Sequence, residues 1–515
     1  MSTFTFTRRD FSTTIMPPLD YTVESYSRSV QGGSKQAAVS ATGSRQAIFE
    51  LIEFLRAPVE IFDEKHDFRW NGYISEVRID WGGVRYGVSL DTMSNKVAVA
   101  YTSGFVRYTT NWSTDTTSAT EYGTKEYLDS LSEVSDAKAL QLRDTSLAST
   151  KYPIPSIRSG QAQEETRKVL ILCKGWRDTL DWRYYANDAG LESYEVLGTN
   201  AGREIGEDDR PIYAQAFQLT SSTGWNATTI WIRLYKVGSP VDNFQIALKS
   251  DSAGDPGTTL ASATVGGADV TTSGTWTEFT LSASVALSTS TTYWIHSSRS
   301  GAIDTDNYYV IGNNPENGYE GGDPKYYNTN LSAWVDASHK GDQNFRVIGN
   351  QSTTEQITTL ITQVGEFFTG SQIDDASGVN TFPYRYGDNR ALWELEKLLD
   401  TGSTNDRRLI YDVTRARLLR VYEEPAAPTE AETSYALNSR GTLFSPYGRE
   451  VPPSECTVGV WCRLMDVLPA SVDVSRISSP DLFFIEEAEY RADTDEYTIV
   501  RARNEEDVFV IGGIE

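Results

Sequence analysis

Histidine and cysteine are scarce. His66, His296 and His339 are the only imidazoles in 515 residues, so a Ser–His or Cys–His nucleophile would have to recruit one of three, and none stands in a supporting pattern. Cys173, Cys456 and Cys462 are odd in number and unrelated in spacing. That excludes a disulfide framework and a Cys-x-x-Cys metal pair, and leaves small buried thiols as the reading. The phosphate-cradling Gly-rich Lys loop, His-Glu-x-x-His and Gly-x-Ser-x-Gly are all missing; YGVSLD around Ser89 lacks the second glycine. The expectation is therefore no enzyme, no catalytic residue, no cofactor and no metal. Paired carboxylates for glycoside hydrolysis stay formally open, since 71 acidic residues make pairs abundant without arranging them.

Long apolar runs are absent too. No stretch approaches the ~18 residues of a membrane span, and the opening MSTFTFTRRDFSTTIMPPLDY has no signal-peptide core. No membrane insertion, and assembly in a cytoplasm, are expected. Basic residues are outnumbered 46 to 71, for a formal charge of −25 and a pI near 4.6. Gripping nucleic acid needs clustered Lys/Arg to displace counterions, so no sequence-specific nucleic-acid binding is expected. An acidic surface would, however, let DNA slide past without sticking.

What is present is mostly strand signal, in a chain long enough for roughly three to five domains. Residues 1–110 read as a β-barrel or sandwich with one helix. YTVESYSRSVQ and SKQAAVSATG alternate, and SRQAIFELIEFLRAP then puts Ile48, Leu51, Ile52 and Leu55 on one helical face, with Ser44 as N-cap and Pro58 as stop. Asn71-Gly72 and Gly82-Gly83 read as hairpin turns. Residues 111–206 form a connecting helical and β region. From 351 to 428, ITTLITQVGEFF and NRALWELEKLLDTG offer amphipathic packing helices, the second capped by Asp388 or Asn389 with Gly402 past its end. A C-terminal β region follows over 429–515.

Residues 207–350 differ in kind. Between Arg210 and Asn350 there are eight Lys/Arg, while Ser, Thr, Gly and Asn rise. Strand signals such as TTIWIRLYKVG, NFQIALKS and WTEFTLS recur without a helix, with a turn at Asp255-Pro256-Gly257. This reads as an antiparallel β-sandwich of jelly-roll type inserted in a host body, since such domains have neighbouring termini. The fold class is thus mainly β with α+β parts, multidomain.

In TTIWIRLYK, period-2 geometry sends Ile230, Ile232 and Leu234 inward and Trp231, Arg233 and Tyr235 outward. Sugar stacking on that row is one explanation, and coverage by a neighbouring domain or subunit is the other. Trp225, Tyr308, Tyr309 and Trp334, in or near loops, would extend a glycan site; Trp276 and Trp294 read as buried. Asp251, Asp255, Asp304 and Asp306 carry oxygen ligands of the kind calcium takes, and equally suit turns in which side chains bond the local backbone.

Several segments together, WNGYISEVRI with YGVSLDTMSNKVAVAYTS, LILCKGWRDTLDWRYY, and YRYGDNRALWELEKLLDTGSTNDRRLIYDVTRARLLRVYEEP, resemble the baseplate hub or tail-tip hub proteins of tailed bacteriophages. The inserted part is similar to the carbohydrate-binding-like jelly rolls of phage and bacterial surface proteins. The resemblance implies a structural virion protein, a homotrimer with two tail-tube-like β-barrels per subunit, the first from 1–110 and the second completed by 429–515. Such a hub joins the tail tube to the tip, forms part of the DNA channel, and contacts tube, distal-tail, tape-measure and tip or fibre proteins. The insertion would project outward for adsorption to host surface polysaccharide or for neighbour contacts. The competing readings are a polysaccharide-degrading tail enzyme and a peripheral tail adhesin.

Overall fold

The computed structural model describes residues 2–13, 16–104, 106–159, 167–195, 202–206, 211–314, 318–337, 341–374, 379–428, 434–465, 467 and 481–504. The protein is mainly β and multidomain, with several antiparallel sheets and a smaller share of helix. The chain forms two compact units. One contains Met1–Tyr185, Thr354–Val379 and Asp388–Glu515, and the other contains Ala186–Thr353 with Asn380–Gly387.

The first unit is organised by a 13-stranded sheet whose central order is Thr3–Phe6, Pro58–Phe62, Phe68–Trp81, Arg167–Lys174, Gly33–Thr42, Asp20–Ser29, Leu482–Arg491, Trp461–Leu464, Tyr435–Leu437 and Leu443–Phe444. Residues 1–110 and the C-terminal β region, expected as separate barrels, therefore share one sheet. The seam between them is antiparallel, with Tyr26 opposite Tyr490 and Ser29 opposite Glu487. The Tyr26 and Tyr490 rings lie 5.1 Å apart, and the Tyr26 hydroxyl donates to the Ser454 carbonyl. Cys456 is buried beside them, its thiol 3.3 Å from the Ala488 carbonyl.

Alternation explains the core. Val39, Val77, Ile79, Val169 and Ile171 are fully buried on adjacent central strands, each such side chain contributing roughly 1.5–3 kcal/mol on burial. The helix Arg45–Glu50 caps this face, with the Ser44 hydroxyl accepting from the Ala47 amide at 3.2 Å. It tightens into a 3₁₀ turn over Leu51–Phe54 and ends before Pro58, which opens a strand. Ile357, Leu360, Ile361 and Val364 from the helix Thr353–Val364 join the same core, as do Leu395, Leu398 and Leu399 from Ala391–Leu399. The N-cap of the latter is Arg390, not Asp388 or Asn389; the Asn389 amide instead donates to Glu394 at 2.9 Å. The connecting region contributes Glu126–Glu133, which pairs in parallel with Lys96–Ser103 of the first 110 residues, and the helix Asp136–Thr150 beside it. The buried Glu126 carboxylate holds Lys96 at 2.8 Å and Arg183 at 2.9 Å.

The two expected hairpin turns part company. Gly82 and Gly83 both have positive φ, +58° and +85°, between paired Trp81 and Val84, the backbone a type I′ turn requires. Asn71-Gly72 is no turn. It lies inside the 14-residue strand Phe68–Trp81, where the buried Asn71 amide donates to the Thr414 carbonyl at 3.1 Å. A Cβ on Gly72 would stand 2.0 Å from the Lys174 carbonyl oxygen. Close backbone approach, not turn chemistry, accounts for that glycine.

The second unit is a two-sheet sandwich. One sheet has eight strands, with Trp225–Val237 at its centre, Thr275–Leu287 on one side, and Phe345–Ser352 and Tyr308–Asn314 on the other. The other sheet runs Asp255–Gly266, Asn243–Ser252, Tyr293–Arg299, Ile212–Phe217, Pro324–Asn328 and Ala333–Asp336. Ile230, Ile232, Leu234, Phe244, Ile246, Phe279, Ile295, Ile311, Phe345 and Val347 fill the space between them. The unit starts at Ala186, earlier than the expected 207, because Leu191–Tyr194 is a strand of the first sheet. It pairs with the unit's last long strand, Leu191 opposite Ile348, so the points of entry and exit are hydrogen-bonded neighbours. The hairpin turn falls at Ala253-Gly254, between paired Ser252 and Asp255, not at Asp255-Pro256-Gly257. Pro256 is tolerated because Asp255–Gly266 is an edge strand.

Gly72→Ala should lower stability by ~3 kcal/mol or more, because strand pairing must open to seat the methyl group. Gly82→Ala, whose Cβ meets nothing within 4 Å, should cost only ~1 kcal/mol through its positive φ. Urea midpoints of the two variants check the ranking. A fragment spanning 186–353 should give dispersed amide resonances, whereas 207–350, which omits the paired first strand, should be measurably less stable to urea.

Candidate functional site

The outer face of the eight-stranded sheet collects a row of aromatic and guanidinium groups. Along Trp225–Val237, Ile230, Ile232 and Leu234 are fully buried while Trp231, Arg233 and Tyr235 are half-buried on the opposite side. On the flanking strand Trp276 sits opposite Arg233 and Glu278 opposite Trp231; across the other edge Arg346 sits opposite Trp231. Trp276 and Arg346 thus lie on either side of the central strand, yet the Arg346 guanidinium is 4.4 Å from the Trp276 ring centroid. The pair bridges the strand. Glu195 fixes it from outside with two contacts to Arg346, 2.5 and 2.6 Å, and this hydrogen bonding raises the Arg346 pKa further.

Arg233 is held differently. Its stem lies over Gly312, where a Cβ would come within 3.0–3.2 Å of the Arg233 methylenes, and its Nε donates to the Gly274 carbonyl at 3.1 Å. No carboxylate stands within 4 Å of its guanidinium among the described residues, whereas Arg299, Lys325 and Arg346 are paired with Asp242, Asp255 and Glu195 and Lys236 is bonded to the Gly267 and Ala268 carbonyls.

Of the seven residues expected in a glycan site, the fold brings four to this face: Trp231, Arg233, Tyr235 and, by alternation with buried Tyr309 and Ile311, Tyr308. Trp225 and Tyr309 are core residues. Trp225 is 3% exposed, with its indole N–H donating to the Ser221 hydroxyl at 3.1 Å. Tyr309 is fully buried, its hydroxyl donates to the Asp242 carbonyl at 2.5 Å, and burial pushes its pKa up to about 12. Trp334 belongs to the other sheet, 5.5 Å from Tyr327 and 6.0 Å from His296, against Ala214, Ala216 and Trp294. Sequence reading missed Trp276, Arg346 and Glu195. Trp276 was legible, since Phe279 and Leu281 face the core and period 2 then sends Trp276, Glu278 and Thr280 outward. Trp294 is buried, as expected, though it faces away from the sandwich core and is enclosed by a satellite cluster.

The loop aspartates are committed to partners within the sandwich, some local and some across strands. Asp251 accepts from the Gly254 amide at 3.0 Å and the Trp294 indole at 2.9 Å, and Asp255 from Lys325 at 2.5 Å. Asp304 accepts from the Asn307 side chain at 3.0 Å, which with the Asp306 amide holds its pKa low. No group of three or more His, Cys, Asp or Glu is placed to hold a metal ion among the described residues, and no helix there is long and apolar enough to cross a membrane. His66 occupies a positive-φ loop position, and His339 lies outside the described residues. His296, half-buried under Trp334, has its pKa lowered to about 4, by burial first and by Lys249 second.

That shift has a definite sign. The unfolded chain takes up the His296 proton near pH 6.5 and the folded chain only near pH 4, so stability falls as pH drops through that window, by at most ~3 kcal/mol. His296→Asn should remove this part of the acid loss, read as converging wild-type and variant unfolding free energies at pH 7 and diverging ones at pH 4.5 after normalisation to the variant.

No family model matches the chain, and no curated protein matches it. Among solved structures it is similar to the mosquito-larvicidal Cry4Aa toxin of Bacillus thuringiensis, at 8% identity and a TM-score of 0.18 over 68% of this chain and 58% of that one. A glycoside hydrolase family 43 arabinoxylan arabinofuranohydrolase from Bacillus subtilis gives 11% identity and a TM-score of 0.14 over 54% and 63%. A Bacillus thuringiensis Cry1Da tryptic core variant gives 8% and 0.14 over 58% and 51%. The chain spans less than two thirds of each of these structures, and likeness at this level carries no argument about activity.

Proposed function

We propose that this protein is a structural component of a phage tail, a trimeric hub at the distal end of the tube, with the sandwich serving as its binding module for host glycan. The observation that carries the reading is closure around an insertion. Asp20–Ser29 pairs with Leu482–Arg491, so the first unit is completed by chain from both sides of the sandwich, while the sandwich enters and leaves through paired neighbouring strands. A body that closes without its insertion can assemble while the inserted module is free to take up a separate binding role. The charge of −25 supports a channel-wall role, since such a surface repels passing DNA. The Trp231, Arg233, Tyr235 and Trp276 face supports the binding role.

Light scattering on the purified protein should give the mass of three copies, or of one copy that forms rings when tail-tube protein is added. A monomer that stays a monomer in that mixture would overturn the hub reading. Release of reducing sugar from host envelope would replace it with a polysaccharide-degrading tail enzyme.

A further inference from the structure

We propose that the outer face of the eight-stranded sheet takes an anionic saccharide, with Arg233 receiving the acidic group and the Trp231 and Tyr235 rings receiving the sugar. This rests on the binding-module half of the function proposed above and narrows it to a ligand class.

The carrying observation is an arginine that its own fold leaves without a counter-charge. Acidic residues outnumber basic ones 71 to 46, and Arg299, Lys325 and Arg346 each have a carboxylate, while Lys236 is spent on the Gly267 and Ala268 carbonyls and Lys249 belongs to the other sheet, beside His296. Arg233 spends one N–H on the Gly274 carbonyl and has no carboxylate within 4 Å among the described residues. A guanidinium presents a rigid fork of donors matched to two oxygens of a carboxylate or phosphate. Here the fork is pre-positioned, because the stem is laid on Gly312 and the Nε is anchored, so little side-chain entropy is lost on binding.

Its neighbours suit a sugar. Trp231 and Tyr235 flank Arg233 two residues to either side on the same strand face, and neither has a ring or cation partner among the described residues. Trp276, opposite Arg233, is already stacked by Arg346, which Glu195 neutralises; that network occupies the Trp276 ring and leaves Trp231 and Tyr235 as the rings for the sugar. Glu278, exposed opposite Trp231 and two residues along from Trp276, places an acceptor for sugar hydroxyls at the Trp231 end of the row. The face is therefore polar along its length, with the acidic group of the ligand directed to Arg233 and its hydroxyls to Glu278.

The acidic group has two chemical sources, the carboxylate of a uronic acid and the phosphodiester of a polyol-phosphate polymer. Titration of the full-length protein with polygalacturonate, poly(glycerol phosphate) and neutral dextran separates them. At least one anionic polymer should bind, the one that does assigning the source, and dextran should bind ten-fold or more weakly. Non-specific attraction is not a competing explanation, because a protein of charge −25 repels polyanions. Arg233→Gln should weaken the anionic polymer ten-fold or more with an unchanged thermal midpoint, Arg233→Lys should restore part of it, and Trp231→Ala should weaken it independently. Dextran binding equal to polygalacturonate, or an Arg233→Gln variant that binds as well as wild type, would overturn the anionic assignment and leave a neutral-glycan module. No binding of any polymer at millimolar repeat units would overturn the binding module itself, while the mass measurement would still decide the hub.

Discussion

Along half its length the strand Asp20–Ser29 is hydrogen-bonded to Leu482–Arg491, from the far end of the chain, and the first unit exists because of that seam. Gly33–Thr42 and Arg167–Lys174 stack onto one side of it, Trp461–Leu464 and Tyr435–Leu437 onto the other. Remove the seam and the sheet falls into two parts, each exposing a long edge. Closing a loop of this length costs conformational entropy only logarithmically in its size, so more than a hundred residues of sandwich add little to the cost that a bare connection would already incur. The tolerance is greater still because the sandwich's first and last strands, Leu191–Tyr194 and Phe345–Ser352, are themselves paired.

The final hairpin is secured by charge as well as by packing. Glu424 and Glu486 are nearly inaccessible, and Arg408 and Arg503 meet them, with the Arg503 guanidinium 5.2 Å from the Phe484 ring centroid and 5.7 Å from that of Trp461. Such a cluster gives little net stability over an apolar equivalent, but breaking one member strands its partner in a dry site. Each of these carboxylates thus has matching cations, and the same holds for Glu126 between Lys96 and Arg183. Arg233 lies outside that pattern, its Nε on the Gly274 carbonyl and no carboxylate within 4 Å of its guanidinium among the described residues.

Period-2 geometry made much of this visible in advance. The inward Ile230, Ile232 and Leu234 and the outward Trp231, Arg233 and Tyr235 follow from alternation alone, and so does the outward Trp276, which the same rule would have supplied. The helical faces of SRQAIFELIEFL and ALWELEKLL, the Ser44 cap and the Gly82-Gly83 turn are likewise local matters, settled by side-chain spacing and backbone sterics within a few residues.

The sequence by itself determined which residues face a core and which face away, the scarcity of imidazole and thiol, and the change of composition that marks the sandwich. Only the tertiary structure decided partners. Asn71-Gly72 is a strand interior and not a turn because Lys174, a hundred residues on, needs the space. Trp225 and Tyr309 are core, and Trp334 belongs to the opposite sheet, because strand order sets what lies above each ring. Whether an arginine keeps its charge free depends on strands that meet across the sheet from distant parts of the chain, as Glu195 and Arg346 do. Spacing along one strand encodes a face; pairing between strands, which no short window contains, encodes which groups stand together on it.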